Sequence, residues 1–114
     1  MELYLGMSQS EVDIDGADRG TDEGGKLKEI DNYHWISPNT GADNSSGFTA
    51  LPGGYGRSTG GFEREGTQAW FWQSSEKSSS VGWCRALSSN NSQIGRGGTV
   101  KDLGMSVRCV KDSP

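Results

Sequence analysis

The sequence predicts an α+β domain in which two short N-terminal helices precede a loop-rich, mostly antiparallel sheet. Apolar residues in the first seven positions, followed by a Ser-Gln-Ser-Glu string, are typical of helices. From Gly16 onward, short apolar or aromatic segments alternate with clusters of Gly, Ser, Asn and Asp, which form turns. With 114 residues, 18 of them Gly, we expect one domain whose thin core depends on its aromatic side chains.

The helical signals are confined to the N-terminal segment. Apolar residues around Gly6 indicate a helix end over residues 1–7, with that glycine as its stop. The string at 8–11 matches a capping box, in which the Ser hydroxyl and the Glu carboxylate accept hydrogen bonds from backbone N–H groups. A short second helix is therefore predicted over residues 8–15.

Six later segments have the short apolar pattern of strands: 48–51, 53–55, 69–74, 81–88, 92–96 and 104–110. Side chains alternate between the two faces of a strand, and residues 81–88 divide clearly. The odd-numbered face is large and mostly apolar, so we expect it to pack inward: Val81, Trp83, Arg85 and Leu87. The even-numbered face is small, so we expect it to meet solvent or a ligand: Gly82, Cys84, Ala86 and Ser88.

The charge distribution and the apolar runs exclude two kinds of partner. Residues 1–31 carry a net charge of −6 and residues 32–114 carry +2, without a basic stripe. We therefore expect no nucleic-acid partner, because such binding depends on neutralising phosphates. The longest apolar runs are three or four residues, so we expect no membrane span, and no secretory signal pattern is present.

Two strings resemble catalytic motifs, and each lacks a necessary part. Residues 56–60 match the nucleophile elbow G-x-S-x-G, but no helical pattern follows and His34 is the only histidine. Residues 20–26 match a phosphate-binding loop as far as its lysine, but Leu27 replaces the Ser or Thr that would hold Mg²⁺. Turns are predicted at both places.

Metal binding is not expected either. Three aspartates at 13, 15 and 18 suggest a calcium loop, but the EF-hand positions for Gly and Glu hold Asp18 and Gly24. A solvated acidic segment is predicted, with a different kind of calcium site as the alternative. One His and two Cys cannot complete a zinc site without carboxylates. We expect no metal and no cofactor.

The cysteines and the later tryptophans each leave an alternative open. Cys84 and Cys109 lie on strand faces of opposite character, which favours unpaired thiols over a disulfide. Trp70, Trp72 and Trp83 could stack on sugars or bases. In a chain this poor in Leu and Ile, we expect at least two of the three in the core.

Longer strings carry a family resemblance: LYLGMSQSE, GTDEGGKLKE, HWISPNTGADNSSGFTALPGGYG, WFWQSSE and VGWCRALSSNNSQIGRGGTVKDLGMSVRCVKD. They resemble the Fibrobacter succinogenes major paralogous domain over nearly the whole chain. The resemblance implies a single domain over residues 1–114 with a C-type lectin-like fold of the formylglycine-generating-enzyme branch. The family's N-terminal strand region and early cysteine have no counterpart here, which implies an unpaired Cys109. The calcium and sugar tripeptides of C-type lectins are also missing, so calcium-dependent sugar binding is not implied.

The C-terminal part of such domains looks like a fixed frame with Asn-rich positions between its members. The frame residues here are Trp83, Arg85, Leu87, Asn90, Asn91, Ser92, Ile94, Arg96, Lys101 and Gly104. Most residues between them are reachable from an Asn codon by changing adenines, which resembles the variable proteins of diversity-generating retroelements. This implies a ligand-binding face on strands 81–88 and 92–97 and the loop 97–103. Its residues would be Cys84, Ala86, Ser88, Gln93, Gly95, Gly97, Gly98, Thr99, Val100, Asp102 and Leu103.

The function that we expect is a non-catalytic binding module with a protein or glycan partner, its oligomeric state left open. The resemblance implies an extracellular, bacterial cell-surface or phage-particle location. One alternative is a structural surface module without a dedicated ligand. Another is an oxidase related to the copper-dependent formylglycine-generating enzymes, although Cys84 and Cys109 do not stand in that family's motif.

Overall fold

The computed structural model describes residues 6–12, 14, 16–57 and 60–107, and the regular structure in this part of the chain is mostly β-sheet. A four-stranded antiparallel sheet has the order β1-β6-β5-β4, and a separate hairpin pairs β2 with β3. The strands are β1 Gly16–Arg19, β2 Tyr55–Gly56, β3 Phe62–Glu63, β4 Gln68–Glu76, β5 Val81–Ser88 and β6 Ile94–Val100. The helices are α1 Gln9–Val12 and α2 Glu23–Leu27.

The predicted α+β, lectin-like fold with two N-terminal helices is wrong. Each helix in the described ranges is a single turn, and the helix predicted over 8–15 is reduced to the four residues of α1. Helices this short gain too few hydrogen bonds to be stable alone, so tertiary contacts decide where they form. The helix end predicted over 1–7 lies almost wholly outside the described residues.

Glycines rather than helix-forming residues explain α2. A Cβ on Gly24 would lie 2.2 Å from the Gln93 carbonyl oxygen, and one on Gly25 would lie 2.1 Å from that of Gly41. The Gly25 N–H donates to the Ser92 carbonyl oxygen at 3.2 Å. The turn therefore exists because its backbone packs directly against two loops, which helix propensity does not reveal.

The strand predictions succeeded where side chains alternate. The prediction for 81–88 is confirmed with the same bounds, and 69–74 and 92–96 fall mainly within β4 and β6. The segment 48–51 forms only an isolated bridge from Ala50 to Lys28, and 104–110 forms isolated bridges at Gly104 and Ser106 before the description ends at 107. Strand β1 was missed because Gly-Ala-Asp-Arg has no apolar pattern.

The core lies under the odd-numbered face of the sheet, at one end. Its buried residues are Met7, Leu27, Trp35, Ala50, Ala69, Leu87 and Ile94. The inward prediction is confirmed for Leu87, which lies opposite Ala69. It is wrong for Trp83, which lies beyond the core and stays half-buried, with the Arg96 guanidinium 4.3 Å and the Lys77 ammonium 5.1 Å from its ring centre.

The expectation that two of the later tryptophans form the core is also wrong. Trp70, Trp72 and Trp83 are all half-buried, whereas Trp35 is 1% exposed. The Trp35 indole N–H donates to the Ala50 carbonyl oxygen at 2.9 Å. The aromatic mass of the core therefore comes from the loop region before the sheet.

Neighbouring residues on opposite faces of β5 should respond differently to truncation. We expect Leu87→Ala to lower the free energy of unfolding by about 2–4 kcal/mol, because the side chain is 3% exposed and leaves a cavity in the core. Ser88→Ala should lower it by about 0.5 kcal/mol or less, since its hydroxyl bonds only with Asn90 near the surface. Urea unfolding of both variants measures the difference, and equal losses would contradict the division of the faces.

Candidate ligand-binding cavity

The even-numbered face of β5 forms the floor of a cavity of about 580 Å³. Residues that are directly opposite in a sheet share a face, and the register places Trp70 opposite Ala86 and Gly97 opposite Cys84. Ala86 itself lies opposite Gly95. Because these floor residues are small, a hollow remains above the strands.

The cavity brings together eight of the eleven residues predicted for the variable face: Cys84, Ala86, Ser88, Gly95, Gly97, Gly98, Thr99 and Leu103. The other three lie elsewhere. The Gln93 carboxamide donates to the Gly20 carbonyl oxygen at 3.0 Å, so it holds a loop. Val100 lies opposite Val81 on the odd-numbered face, and Asp102 is exposed in the turn after β6.

Aromatic residues that were not among the predicted site residues form one wall. Tyr55 and Trp70 meet edge to face with ring centres 5.5 Å apart. The Trp70 indole donates to Gln68 Oε1 at 2.8 Å, and the Tyr55 hydroxyl donates to Glu63 Oε2 at 3.0 Å, so both rings are fixed. The alternation of β4 could have placed Trp70 here. No local pattern could have placed Tyr55, which β2 brings to the cavity.

Amide and hydroxyl groups gather at one end of the cavity, which we call the polar corner: Gln68, Ser88, Asn90 and Asn91. The Ser88 and Asn90 side-chain oxygens are 2.8 Å apart, and Asn91 Nδ2 lies 3.4 Å from Asn90 Oδ1. No carboxylate lines the cavity among the described residues, and the Arg96 guanidinium lies over the Trp83 ring on the odd-numbered face. The site therefore combines apolar walls with neutral hydrogen-bonding groups.

Lys28 is fully buried and reaches the polar corner from below. Its ammonium donates to the carbonyl oxygens of Thr40, Ser88 and Asn91 at 2.8, 2.8 and 2.9 Å. Burial lowers the pKa of this ammonium to about 8, so the charged form predominates at neutral pH. No local sequence pattern indicates this contact, because Lys28 stands 60 residues before Ser88.

Cys84 carries a free thiol on the cavity floor. It is 2% exposed, and its sulfur donates to the Gly97 carbonyl oxygen at 3.4 Å. Burial raises the pKa of the thiol, and the neighbouring Arg85 charge offsets part of that effect. The unpaired state predicted for Cys84 is confirmed, while Cys109 lies outside the described residues.

The remaining motif candidates lie away from the cavity. His34 Nδ1 is 2.9 Å from a Glu29 carboxylate oxygen at the surface. The string at 20–26 forms the turn before α2 together with most of that helix, and 58 and 59 of the string at 56–60 lie outside the described residues. Asp13 and Asp15 also fall outside the described residues.

Within the described ranges, no three His, Cys, Asp or Glu side chains are grouped to hold a metal ion. No helix in these ranges is long and apolar enough to span a membrane.

The fold and the cavity define a small, mostly β domain with a hollow on one sheet face. The chain belongs to the Fibrobacter succinogenes major domain family, whose model matches residues 1–111. No curated protein and no solved structure matches it.

Proposed function

We propose that this domain is a non-catalytic binding module that accepts part of a protein or glycan ligand in the cavity above β5. One observation carries the proposal: eight residues expected to vary, drawn from β5, β6 and the following loop, line a single hollow. Concave sites with apolar walls and a few convergent polar groups are the usual form of ligand pockets. A group with an apolar surface and neutral hydrogen-bonding atoms fits this lining.

The backbone supports a surface that can change without loss of the fold. A Cβ built on Gly97 meets no atom within 4 Å, so a larger side chain there would extend into the hollow. A Cβ on Gly98 would lie 2.9 Å from Val81 Cγ1, on the other face. Variation at residue 97 would therefore alter the cavity and leave the core intact, as retroelement diversification at the bacterial cell surface or on a phage particle would require.

The state of Cys84 supports binding rather than catalysis. A thiolate is the nucleophilic form of cysteine, and burial favours the protonated thiol here. The general base that could take its proton would have to lie within hydrogen-bond reach, and the Cys84 sulfur bonds instead to the Gly97 carbonyl oxygen. A binding site has no need of an ionised cysteine.

Filling the cavity tests the proposal. Peptide-display libraries and a glycan array are first searched for ligands with the full chain. Gly97→Phe should weaken binding of each ligand found by about tenfold or more, because its ring occupies the hollow. Calorimetric titration measures the affinities, and thermal unfolding should show stability within about 1 kcal/mol of the parent.

Val100→Phe is the matched control, since that residue is half exposed on the opposite face. It should leave the affinity unchanged. Equal binding by the parent and Gly97→Phe, or equal losses in both variants, would place the site elsewhere. A search that yields no ligand would favour a structural surface module.

A further inference from the structure

Lys28 joins segments of the chain that lie far apart in the sequence. An ammonium has three N–H donors, and each has a carbonyl acceptor within 2.9 Å, from Thr40, Ser88 or Asn91. Two of these three residues, Ser88 and Asn91, line the cavity. The buried charge therefore lies directly behind the polar corner.

The lysine is itself held in place on the inner side. Its backbone N–H donates to the Gly24 carbonyl oxygen at 3.2 Å, and its strand bridge pairs it with Ala50. The Trp35 ring centre lies 5.5 Å from the ammonium. A side chain fixed at its base and at its tip can hold the atoms that it contacts in one arrangement.

The loop that Lys28 holds carries most of the polar corner. The Asn91 carboxamide oxygen accepts from the Gln93 backbone N–H at 3.0 Å, and Ser88 bonds with Asn90. The directions of these side chains therefore follow from the backbone positions of 88 and 91. Without the ammonium, the carbonyl oxygens of both residues would lose a buried donor, and the loop could adopt other arrangements.

We propose that Lys28 is a positioning residue for the cavity: its ammonium fixes the backbone at Ser88 and Asn91 and so aims the polar corner at the ligand. This inference rests on the proposed binding function. Lys28 touches no ligand, because its side chain is completely buried. Its effect on binding passes through the residues of the polar corner.

The groups that contact the ammonium are neutral, so the protonation of Lys28 can be measured without a second titrating group in contact with it. The charged residues on either side in the chain have other partners: the Glu29 carboxylate binds His34, and Lys26 lies 3.7 Å from Asp22. The pKa of about 8 places the loss of the Lys28 proton within an accessible range. A neutral amine has two N–H donors, so one carbonyl then loses its hydrogen bond.

The first experiment needs no ligand. In the ¹³C,¹⁵N-labelled full chain, the carbonyl ¹³C signals of Thr40, Ser88 and Asn91 should shift together with a midpoint near pH 8. In Lys28→Arg the shared midpoint should vanish, because a guanidinium stays charged throughout. Separate midpoints in the parent, or a shared midpoint that persists in Lys28→Arg, would overturn the proposal.

The second experiment reads the polar corner itself. The Asn90 and Asn91 carboxamide NMR signals should be single in the parent and broadened or multiple in Lys28→Met. Lys101→Met is the control, because Lys101 pairs with Glu76 at the surface and should leave them unchanged. If Lys28→Met does not fold, the parent above pH 8 supplies a milder comparison, because its neutral amine loses one of the three hydrogen bonds. Unchanged carboxamide signals in the folded Lys28→Met, or in the parent above that pH if the variant does not fold, would overturn the proposal.

Binding separates this inference from the proposed function. For a ligand found by display or array, Lys28→Met should weaken binding by about tenfold, and Lys101→Met should not. A folded Lys28→Met that binds as tightly as the parent would overturn the positioning role while leaving the binding function intact. If no ligand exists, the proposed function fails, and the NMR experiments still decide whether Lys28 orders the corner.

Discussion

Lys28→Met should lower the free energy of unfolding by about 3–5 kcal/mol, because three backbone carbonyl oxygens lose a charged hydrogen-bond donor. The methionine fills most of the space but donates no hydrogen bond. The carbonyl oxygens of Thr40, Ser88 and Asn91 would each lose the donor that the buried lysine provides. An unsatisfied buried acceptor costs about 1–3 kcal/mol, so the three together account for the expected loss. Urea unfolding followed by tryptophan fluorescence measures it.

Two further substitutions show whether the loss comes from these hydrogen bonds. Lys101→Met removes an exposed lysine and should cost about 0.5 kcal/mol or less. Lys28→Arg keeps the charge, but its planar group cannot point at three carbonyls in the same way, so an intermediate loss is expected. A loss below about 1 kcal/mol in Lys28→Met would mean that the three carbonyls find other partners.

The part of the site that could be predicted from the sequence is the part that depends on local alternation. Strand β5 has the predicted bounds, and three of its even-numbered residues, Cys84, Ala86 and Ser88, line the cavity together. Alternation holds wherever a strand is regular, so knowing one residue's face gives the faces of its neighbours. Alternation could not show that a cavity would lie above this face. The cavity depends on Gly95 and Gly97 lying opposite Ala86 and Cys84.

The parts that could not be predicted depend on contacts between distant segments. Tyr55 reaches the cavity because Gly56 and Gly104 exchange backbone hydrogen bonds of 2.7 and 2.9 Å. Lys28 stands in a short stretch that looks extended and solvated, yet its side chain is wholly buried beneath the site. No pattern in the neighbouring residues predicts such a contact, because the acceptors are backbone carbonyls, which every residue carries.

The fold class was mispredicted for a related reason. A capping box and a few apolar residues favour a helix start, but a helix needs about 12–15 residues to be stable without tertiary support. Here the chain turns into β1 at Gly16, and the only long stretches of regular structure in the described residues are antiparallel strands. In a chain with 18 glycines, backbone segments that pack directly against each other replace many of the packing contacts that larger side chains would make.

Trp35→Ala should also lower the free energy of unfolding by about 3–5 kcal/mol, the usual cost of truncating a buried aromatic side chain. The indole is 1% exposed, and it supports Lys28 through its ring. The Ala50 carbonyl oxygen would keep a partner, because it also accepts from the Glu29 backbone N–H at 3.1 Å, so the loss should come chiefly from the cavity. Urea unfolding followed by circular dichroism avoids the change in fluorescence.

Tyr33→Ala provides the matched control, since this aromatic ring is 80% exposed only two residues away. It should change stability by about 0.5 kcal/mol or less.

Trp35→Phe keeps a ring and should lower the free energy of unfolding by about 1–2 kcal/mol. The further loss from Trp35→Phe to Trp35→Ala measures the cost of the cavity that the missing ring leaves. Because Trp35 and Lys28 touch, their losses should not add: the double variant Lys28→Met, Trp35→Ala should lose less than the sum of the two. Simple additivity would show that Trp35 does not support the buried ammonium. Similar losses at 33 and 35 would show that Trp35 does not fill the core.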